Sequence, residues 1–354
     1  MKLLRMRLRE DSTLRRTITM RVTIEDIAKK AGLSAASVSR ILNNTGRFSE
    51  ATAKKVRAIA DELGYYKNRS ASDLASHTQT TLGVINYPAE TDSNFHVIRG
   101  ITEQARQSDV DVLIMIAERD DQTAIRKVVE DLIERRVFSI LFLSVHPDQA
   151  IIDLIKRAGI YPQEVASAYA LDLSYVSSND YQMGQLATRT LIDKGYSRIG
   201  FVGADPEKDI VGTQRFAGYQ AALKAAGITY RPEWLFVGDG KYSYQSGLDA
   251  VPYYTDNADV DSVFATSDDG ALGIINGLID RDGAFTHQWG IISTDGSQIC
   301  EQTRPKISSV TQDFNLIGRM AVDEAVRAIT DLPKEKRQID VPFRLELRET
   351  TPAK

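Results

Sequence analysis

The stretch Val22–Asn43, VTIEDIAKKAGLSAASVSRILN, decides how the chain begins to fold. Thr23 followed three residues later by Asp26 is a capping-box pattern, a hydroxyl and a carboxylate that satisfy free N–H groups at a helix start. Glu25 and Asp26 also suit the positive end of the helix dipole. Ile24, Ile27, Ala28 and Ala31 recur at helical spacing and make one apolar face. Gly32 ends this helix, and Ser34 is a good N-cap for the next. The second helix turns Val38, Ile41 and Leu42 inward, and Ala35, Ala36, Ser37, Ser39 and Arg40 lie largely outside that stripe. A third helix, from about Glu50 to Leu63, repeats the pattern with Val56, Ile59, Ala60 and Leu63 before Gly64 stops it.

Three short helices with a tight turn between the first two match the helix-turn-helix plan for DNA binding. An outer face of Ala, Ser and Arg is small enough to approach base edges, and Arg40 can reach guanine O6 and N7 together. Charge points the same way. Residues 1–80 hold 16 Lys/Arg against 8 Asp/Glu, a net of +8, so the rest of the chain carries −12 of the total of −4. A basic head that meets a polyanion and an acidic body that does not is the expected division. Residues 1–19 are basic but lack the apolar core of a secretory signal. They are expected to be an upstream start assignment before Met20, or a disordered basic arm.

The segments TIEDIAKKAGLSAASVSRILN and FSEATAKKVRAIADELGY together resemble the headpiece of the LacI/GalR transcriptional regulators, and the likeness runs to about residue 345. The resemblance implies that Ala35, Ala36 and Arg40 read the operator, that Thr23, Ser34, Ser37, Ser39 and Asn43 touch phosphates or sugars, and that Arg47 reaches DNA from a loop. It further implies a hinge from Asn68 to Ala75 that becomes helical on the operator, with Leu74 as an apolar wedge in the minor groove. Ser72-Asp73 stands where an Arg-Ser pair is common in that family, and a carboxylate near phosphate is unfavourable.

From Thr81 the chain alternates β-rich runs (TLGVINY, DVLIMI, SILFLSV, RIGFVG, SVFATSD, GIIST) with amphipathic stretches at 123–136, 184–195, 215–227 and 269–282. Such alternation predicts an α/β fold with parallel sheets and helices on both faces. The family likeness makes this two doubly wound, periplasmic-binding-protein-like subdomains after a small all-α headpiece. The expected division is residues 20–66 for the headpiece, 67–80 for the linker and 81–345 for the effector-binding and dimerisation body. Within the body the N-subdomain takes about 81–178 and 311–332, and the C-subdomain about 179–309 and 336–348. The chain is expected to pass between them near 177–180, 308–312 and 332–340.

Catalytic signatures are absent: there is no G-x-S-x-G, G-x-G-x-x-G or H-E-x-x-H. GDGKY at 238–242 fails the Walker pattern, DNADVD at 256–261 lacks the glycine of a calcium loop, and His77, His96, His146 and His287 show no metal spacing. No enzyme activity, cofactor or metal is therefore expected. The single cysteine, Cys300, forms no intrachain disulfide and fits a reducing cytoplasm, and no apolar run is long enough to span a membrane.

The resemblance also nominates an effector set. Arg215 would donate to effector oxygens, Asp295 would accept from hydroxyls, and Tyr242 would cover the ligand, with Ser267, Asp180 and Phe95 as further candidates. The expected function is a homodimeric repressor of a sugar-utilisation operon, bound to pseudo-palindromic double-stranded DNA and released by a small sugar. A purine or nucleoside effector, or a protein corepressor, is the alternative. No leucine heptad follows VPFRLELR, so a dimer is expected rather than a helically tethered tetramer.

Overall fold

The computed structural model describes residues 22–65, 80–87, 93–119, 121–168, 173–285, 289–330 and 336–354. The expectations for residues 1–19, for the linker hinge and for Leu74 fall outside these. The chain divides into two units, residues 1–78 and 79–354.

In the first unit three helices pack together: α1 (Ile24–Ala31), α2 (Ala35–Leu42) and α3 (Glu50–Glu62). The capping box forms as its residues dictate. The Thr23 hydroxyl accepts from the Asp26 N–H at 3.3 Å, while the Asp26 carboxylate accepts from the Thr23 N–H at 2.8 Å. Gly32 closes α1 in the left-handed conformation, φ 72°, where a side chain would be strained. Ser34 and Ser49 cap α2 and α3 by accepting from the N–H groups of Ser37 and Thr52. Ile27, Val38, Ile41, Val56 and Ile59 meet in a small common core, and the Lys55 ammonium ties α3 to the C-terminal carbonyl of α1 at Ala31, 3.1 Å away.

The second unit holds two six-stranded sheets of like topology. The first contains β1 (Thr81–Asn86), β2 (Asp111–Ile116), β3 (Ser139–Leu143), β4 (Tyr161–Val165), β5 (Ser174–Ser177) and β11 (Gln338–Asp340), in the order β11-β5-β4-β3-β1-β2 with every pair parallel. Its helices are α4 (Ser93–Gln107), α5 (Gln122–Glu134), α6 (Gln149–Arg157) and α12 (Phe314–Thr330). Alternation along β3 divides its core. Leu141 and Leu143 pack with α4 and α12, whereas Ile140 and Phe142 pack with α5 and α6.

The second sheet contains β6 (Ile199–Val202), β7 (Leu235–Phe236), β8 (Ser262–Ala265), β9 (Gly290–Asp295), β10 (Ser308–Thr311) and β12 (Arg344–Glu346), in the order β12-β10-β9-β8-β6-β7. Only β12 runs antiparallel to its neighbour. Its helices are α7 (Asp180–Asp193), α8 (Ile210–Ala225), α9 (Tyr244–Asn257), α10 (Asp268–Asp282) and the short α11 (Ile299–Gln302).

The chain passes between sheets after β5, after β10 and after β11. The third passage is therefore at residues 341–343 rather than 332–340, and residues 338–340 belong to the N-subdomain and not to the C-subdomain as expected. The reason is that β11 pairs with β5 before the chain leaves, Ile339 lying opposite Val176.

Three helix pairs cross at backbone distance, each through one glycine per helix. A Cβ on Gly184 (α7) would stand 2.1 Å from the Arg215 carbonyl, and one on Gly218 (α8) 2.1 Å from the Tyr181 carbonyl. Gly247 and Gly273 do the same between α9 and α10, and Gly100 and Gly318 between α4 and α12. An alanine inside a helix ordinarily stabilises it by up to ~1 kcal/mol over glycine. Here the sign is expected to reverse. Gly184→Ala should cost about 1–3 kcal/mol from overpacking, read as a lower urea midpoint of the body; an unchanged or raised midpoint would contradict so close a crossing.

Candidate functional site

In the first unit α2 presents the face expected of a DNA-reading helix. Ala36 and Arg40 are exposed, Ser37 and Ser39 are half-buried, and Thr23, Ser34, Asn43 and Arg47 are exposed around them. Arg40 lies back along the helix, its Nε donating to the Ala36 carbonyl at 3.3 Å, so reaching a base requires that bond to be exchanged. The Ser34 and Ser37 hydroxyls are 2.8 Å apart, and Asn43 donates to the Ser39 hydroxyl at 3.4 Å. Ala35 departs from the expected outer face: it is half-buried against the Val38–Ile41 core.

In the second unit a cavity of about 610 Å³ opens between the two sheets, at the carboxyl ends of their strands. Three of the six effector candidates line it: Arg215, Tyr242 and Asp295. Arg215 comes from the second turn of α8 and is 5% exposed. Its Nε donates to Asp180 at 2.8 Å and one terminal nitrogen donates to the Thr266 carbonyl (2.6 Å) and the Thr294 hydroxyl (2.7 Å). The other lies 3.6 Å from Asp295. Burial opposes its charge, but Asp180 and Asp295 hold it protonated above the ordinary arginine range. Most of its donors are thus committed to the protein, and its part in the site is to fix Asp295 and the strand ends more than to offer an open fork.

Asp295 ends β9 with φ 105° and accepts from the Gln312 amide at 3.1 Å. Burial, reinforced by the Asp268 and Asp180 carboxylates and opposed by Arg215, pushes its pKa up to about 7. Tyr242 lies with the Arg215 guanidinium 5.9 Å from its ring centroid and donates its hydroxyl to Asp209. Burial raises its pKa well above the usual phenol value.

The other three candidates are placed elsewhere. Asp180, first residue of α7, pairs with Arg215 from behind and does not line the cavity. Ser267 caps α10, accepting from Gly270 N–H and donating to the Tyr242 carbonyl, so it holds the tyrosine's loop. Phe95 is 62% exposed on α4, with its ring edge-on to His96, and lies outside the cavity lining.

The structure adds residues that spacing did not single out. Arg119, from the loop after β2, reaches across the cavity to Asp209 at 3.1 Å. Asp209 caps α8, and a polar residue just before the helical run IVGTQRFAGY was a signal open to sequence reading. Ser144, Ala166, Tyr242 and Asp295 all line the cavity and all have positive φ, a cost of about 1–3 kcal/mol each that tends to gather at functional sites.

Residues 23–68 match the family described as "Bacterial regulatory proteins, lacI family", and residues 188–351 match "Periplasmic binding protein-like domain". Catabolite control protein A of Priestia megaterium is 28% identical over 334 residues, covering 94% of this chain and all of the relative. The chain thus joins a lacI-type helix-turn-helix segment to a periplasmic-binding-protein-like domain. It is a DNA-binding regulator of transcription, and its relatives are regulators rather than enzymes. Among solved structures, a transcriptional regulator CelR–cellobiose complex has a TM-score of 0.69 and 26% identity over 93% of this chain and all of that one. The Lac repressor dimer bound to operator and the anti-inducer ONPF shares the fold, with a TM-score of 0.84 and 22% identity over 94% of this chain and all of that one.

The raised pKa of Asp295 carries a stability consequence. A carboxyl whose folded pKa lies above its unfolded value takes up a proton on folding, so its contribution is greatest below the unfolded pKa and is lost as pH rises through about 7. Asp295→Asn should therefore stabilise the protein against heat at pH 8, by on the order of 1–3 kcal/mol more than at pH 5, and bring little gain below about pH 4, where the carboxyl is protonated in both states. A gain equal at pH 8 and pH 5 would place the strain elsewhere than in the ionised carboxylate.

Proposed function

We propose that the protein is a cytoplasmic, dimeric repressor of sugar-utilisation genes, released from its operator by a sugar held between the two subdomains of the body. The observation that carries this reading is the pairing, in one chain, of the exposed Ala36–Arg40 face on α2 with a polar cavity at the strand ends of a two-sheet body. The CelR–cellobiose complex, whose fold this chain shares along 93% of its length, supports a sugar as the effector class. Among the described residues no helix is long and apolar enough to cross a membrane.

Thr23, Ser34, Ser37, Ser39, Asn43 and Arg47 are assigned to backbone contacts that set register, and Ala36 and Arg40 to the base edges. Ala35 supports the helix from its half-buried position. In the body, Asp295 accepts from ligand hydroxyls, Tyr242 packs on the ligand, and Arg215 and Asp180 hold Asp295 in place. The ligand weakens DNA binding only through its different affinity for the two states of the body. A hundredfold loss of operator affinity needs roughly 2.7 kcal/mol of such difference.

Dimerisation is assigned to the β2 edge of the first sheet. Ile114 and Ile116 are exposed there, 40% and 63%, on the strand that ends the sheet among the described residues. An exposed apolar edge strand is an association surface unless a partner covers it; the Lac repressor, of the same fold, is a dimer. Ile116→Lys should shift the protein from dimer to monomer in sedimentation at micromolar concentration. A variant that remains dimeric moves the interface away from this edge.

The central test is selection of DNA sites by the full-length chain, followed by anisotropy titrations of the selected site with and without sugars. Arg40→Ala should reduce operator preference by about 1–3 kcal/mol while leaving salt-sensitive, nonspecific binding in place. Undiminished discrimination in that variant would remove Arg40 from base reading.

A further inference from the structure

The cavity has a charge arrangement that bears on what it admits. It is lined by six carboxylates, Glu118, Asp121, Asp205, Asp209, Asp239 and Asp295, and by four cationic side chains, Arg119, Lys208, Arg215 and Lys241. Three of those cations are matched by the protein itself. Arg119 pairs with Asp209 (3.1 Å), Lys208 with Asp205 (3.0 Å), and Arg215 with Asp180 (2.8 Å).

Asp209 holds a place where an anion would otherwise be well received. The N-terminus of the sixteen-residue helix α8 opens into the cavity, and helix N-termini bind phosphate through their free N–H groups and the dipole. Here the Asp209 carboxylate sits on that terminus. One of its oxygens accepts from the Gly212 N–H at 2.6 Å and from the Tyr242 hydroxyl, and the other accepts from Arg119 of the opposite subdomain. It is 8% exposed. Donors that would grip a phosphate, namely a helix terminus, an arginine and a tyrosine hydroxyl, already converge on an anion built into the chain.

Resting on the reading of this cleft as a sugar site, we propose that Asp209 is a specificity-determining residue that excludes phosphorylated sugars, so that the effector is a neutral, unphosphorylated sugar. The opposite wall suits such a ligand. Ser167 is 3% exposed and lines the cavity, and its hydroxyl has no hydrogen-bond partner among the described residues; the buried Arg119 Nε likewise has none among them. A sugar hydroxyl both donates and accepts, and can satisfy these groups without bringing charge toward Asp209 and Asp295. A phosphate would have to displace Asp209 from Arg119 and the helix terminus, or stand beside it unpaired.

The test uses the full-length chain, calorimetry, and four probes: glucose, cellobiose, glucose 6-phosphate and inorganic phosphate. The wild-type protein should bind neither glucose 6-phosphate nor inorganic phosphate. Asp209→Ser keeps a good helix cap but removes the internal anion, and should gain binding of inorganic phosphate. Asp209→Asn, which keeps the shape, should bind glucose 6-phosphate at least about tenfold more tightly than wild type, since it removes a like charge. The proposal is overturned if the wild-type protein binds glucose 6-phosphate more tightly than glucose, or if both folded variants stay blind to phosphate. If neither neutral sugar binds while Asp209→Ser still gains phosphate, the exclusion by Asp209 stands and the sugar reading is what fails.

Discussion

A single buried guanidinium holds the body's site together. Arg215 leaves α8 and bonds to the first residue of α7, to the end of β8 through the Thr266 carbonyl, and to β9 through Thr294 and Asp295. A buried charge persists only when it is paired and its remaining donors are satisfied, so each of these contacts constrains the others. Removing Asp180, the partner at 2.8 Å, ordinarily costs about 3–5 kcal/mol, because it strands the buried guanidinium. The strand ends that form one wall of the cavity are thereby fixed relative to two helices. That is also why Asp295 can be kept in a conformation with φ 105°, which few residues adopt unaided.

That network depends on how closely α7 and α8 cross. Gly184 lies directly under the Arg215 backbone, and Gly218 under that of Tyr181. With side chains at these points the helices would separate, and the Nε–carboxylate distance of 2.8 Å to Asp180 could not be kept without rearrangement. The same device recurs between α9 and α10 and between α4 and α12. The last pair lies in the N-subdomain and gives the two halves a shared construction: a parallel sheet with a glycine-crossed helix pair near the place where the chain changes sheets.

Much of this was legible in the amino-acid sequence, for identifiable reasons. The three headpiece helices carry their own caps, glycine stops and apolar stripes, and they fold where those signals lie. Strands β1, β2, β3, β6, β8 and β9 are β-rich runs and are found as such. β4 was not anticipated because it reads YPQEV, with a proline, a glutamine and a glutamate; proline in a strand ordinarily argues for an edge. In the fold it lies between β3 and β5, with Gln163 and Glu164 almost wholly buried. Tertiary context overrides the local preference there. β5 and β10, SYVS and SSVT, are too short and polar to stand out. Helix α9 contains Pro252, and it escaped the amphipathic reading. In the site, Arg215, Asp295 and Tyr242 were nominated by family likeness, while Arg119 was not, since its partner lies 90 residues further on. No local pattern encodes a contact of that span.

The two sides of the cleft also explain each other. The C-subdomain wall is pre-built: Arg215 is spent on the protein, Asp209 is capped and paired, and Asp239 accepts from Ser243, Ser246 and the Lys241 N–H. Among the described residues, the N-subdomain wall keeps uncommitted polar atoms at Ser167 and at Arg119 Nε. A ligand bridging the two therefore gains differential affinity chiefly from the wall that is not yet satisfied. A shift between states follows from such a difference and not from tight binding alone. The Arg119–Asp209 pair spans the same gap and makes a protein contact between the walls before any ligand enters. Under the proposed reading, a sugar entering here would compete with this internal pair, over a cavity whose backbone already holds positive φ at Ser144, Ala166, Tyr242 and Asp295.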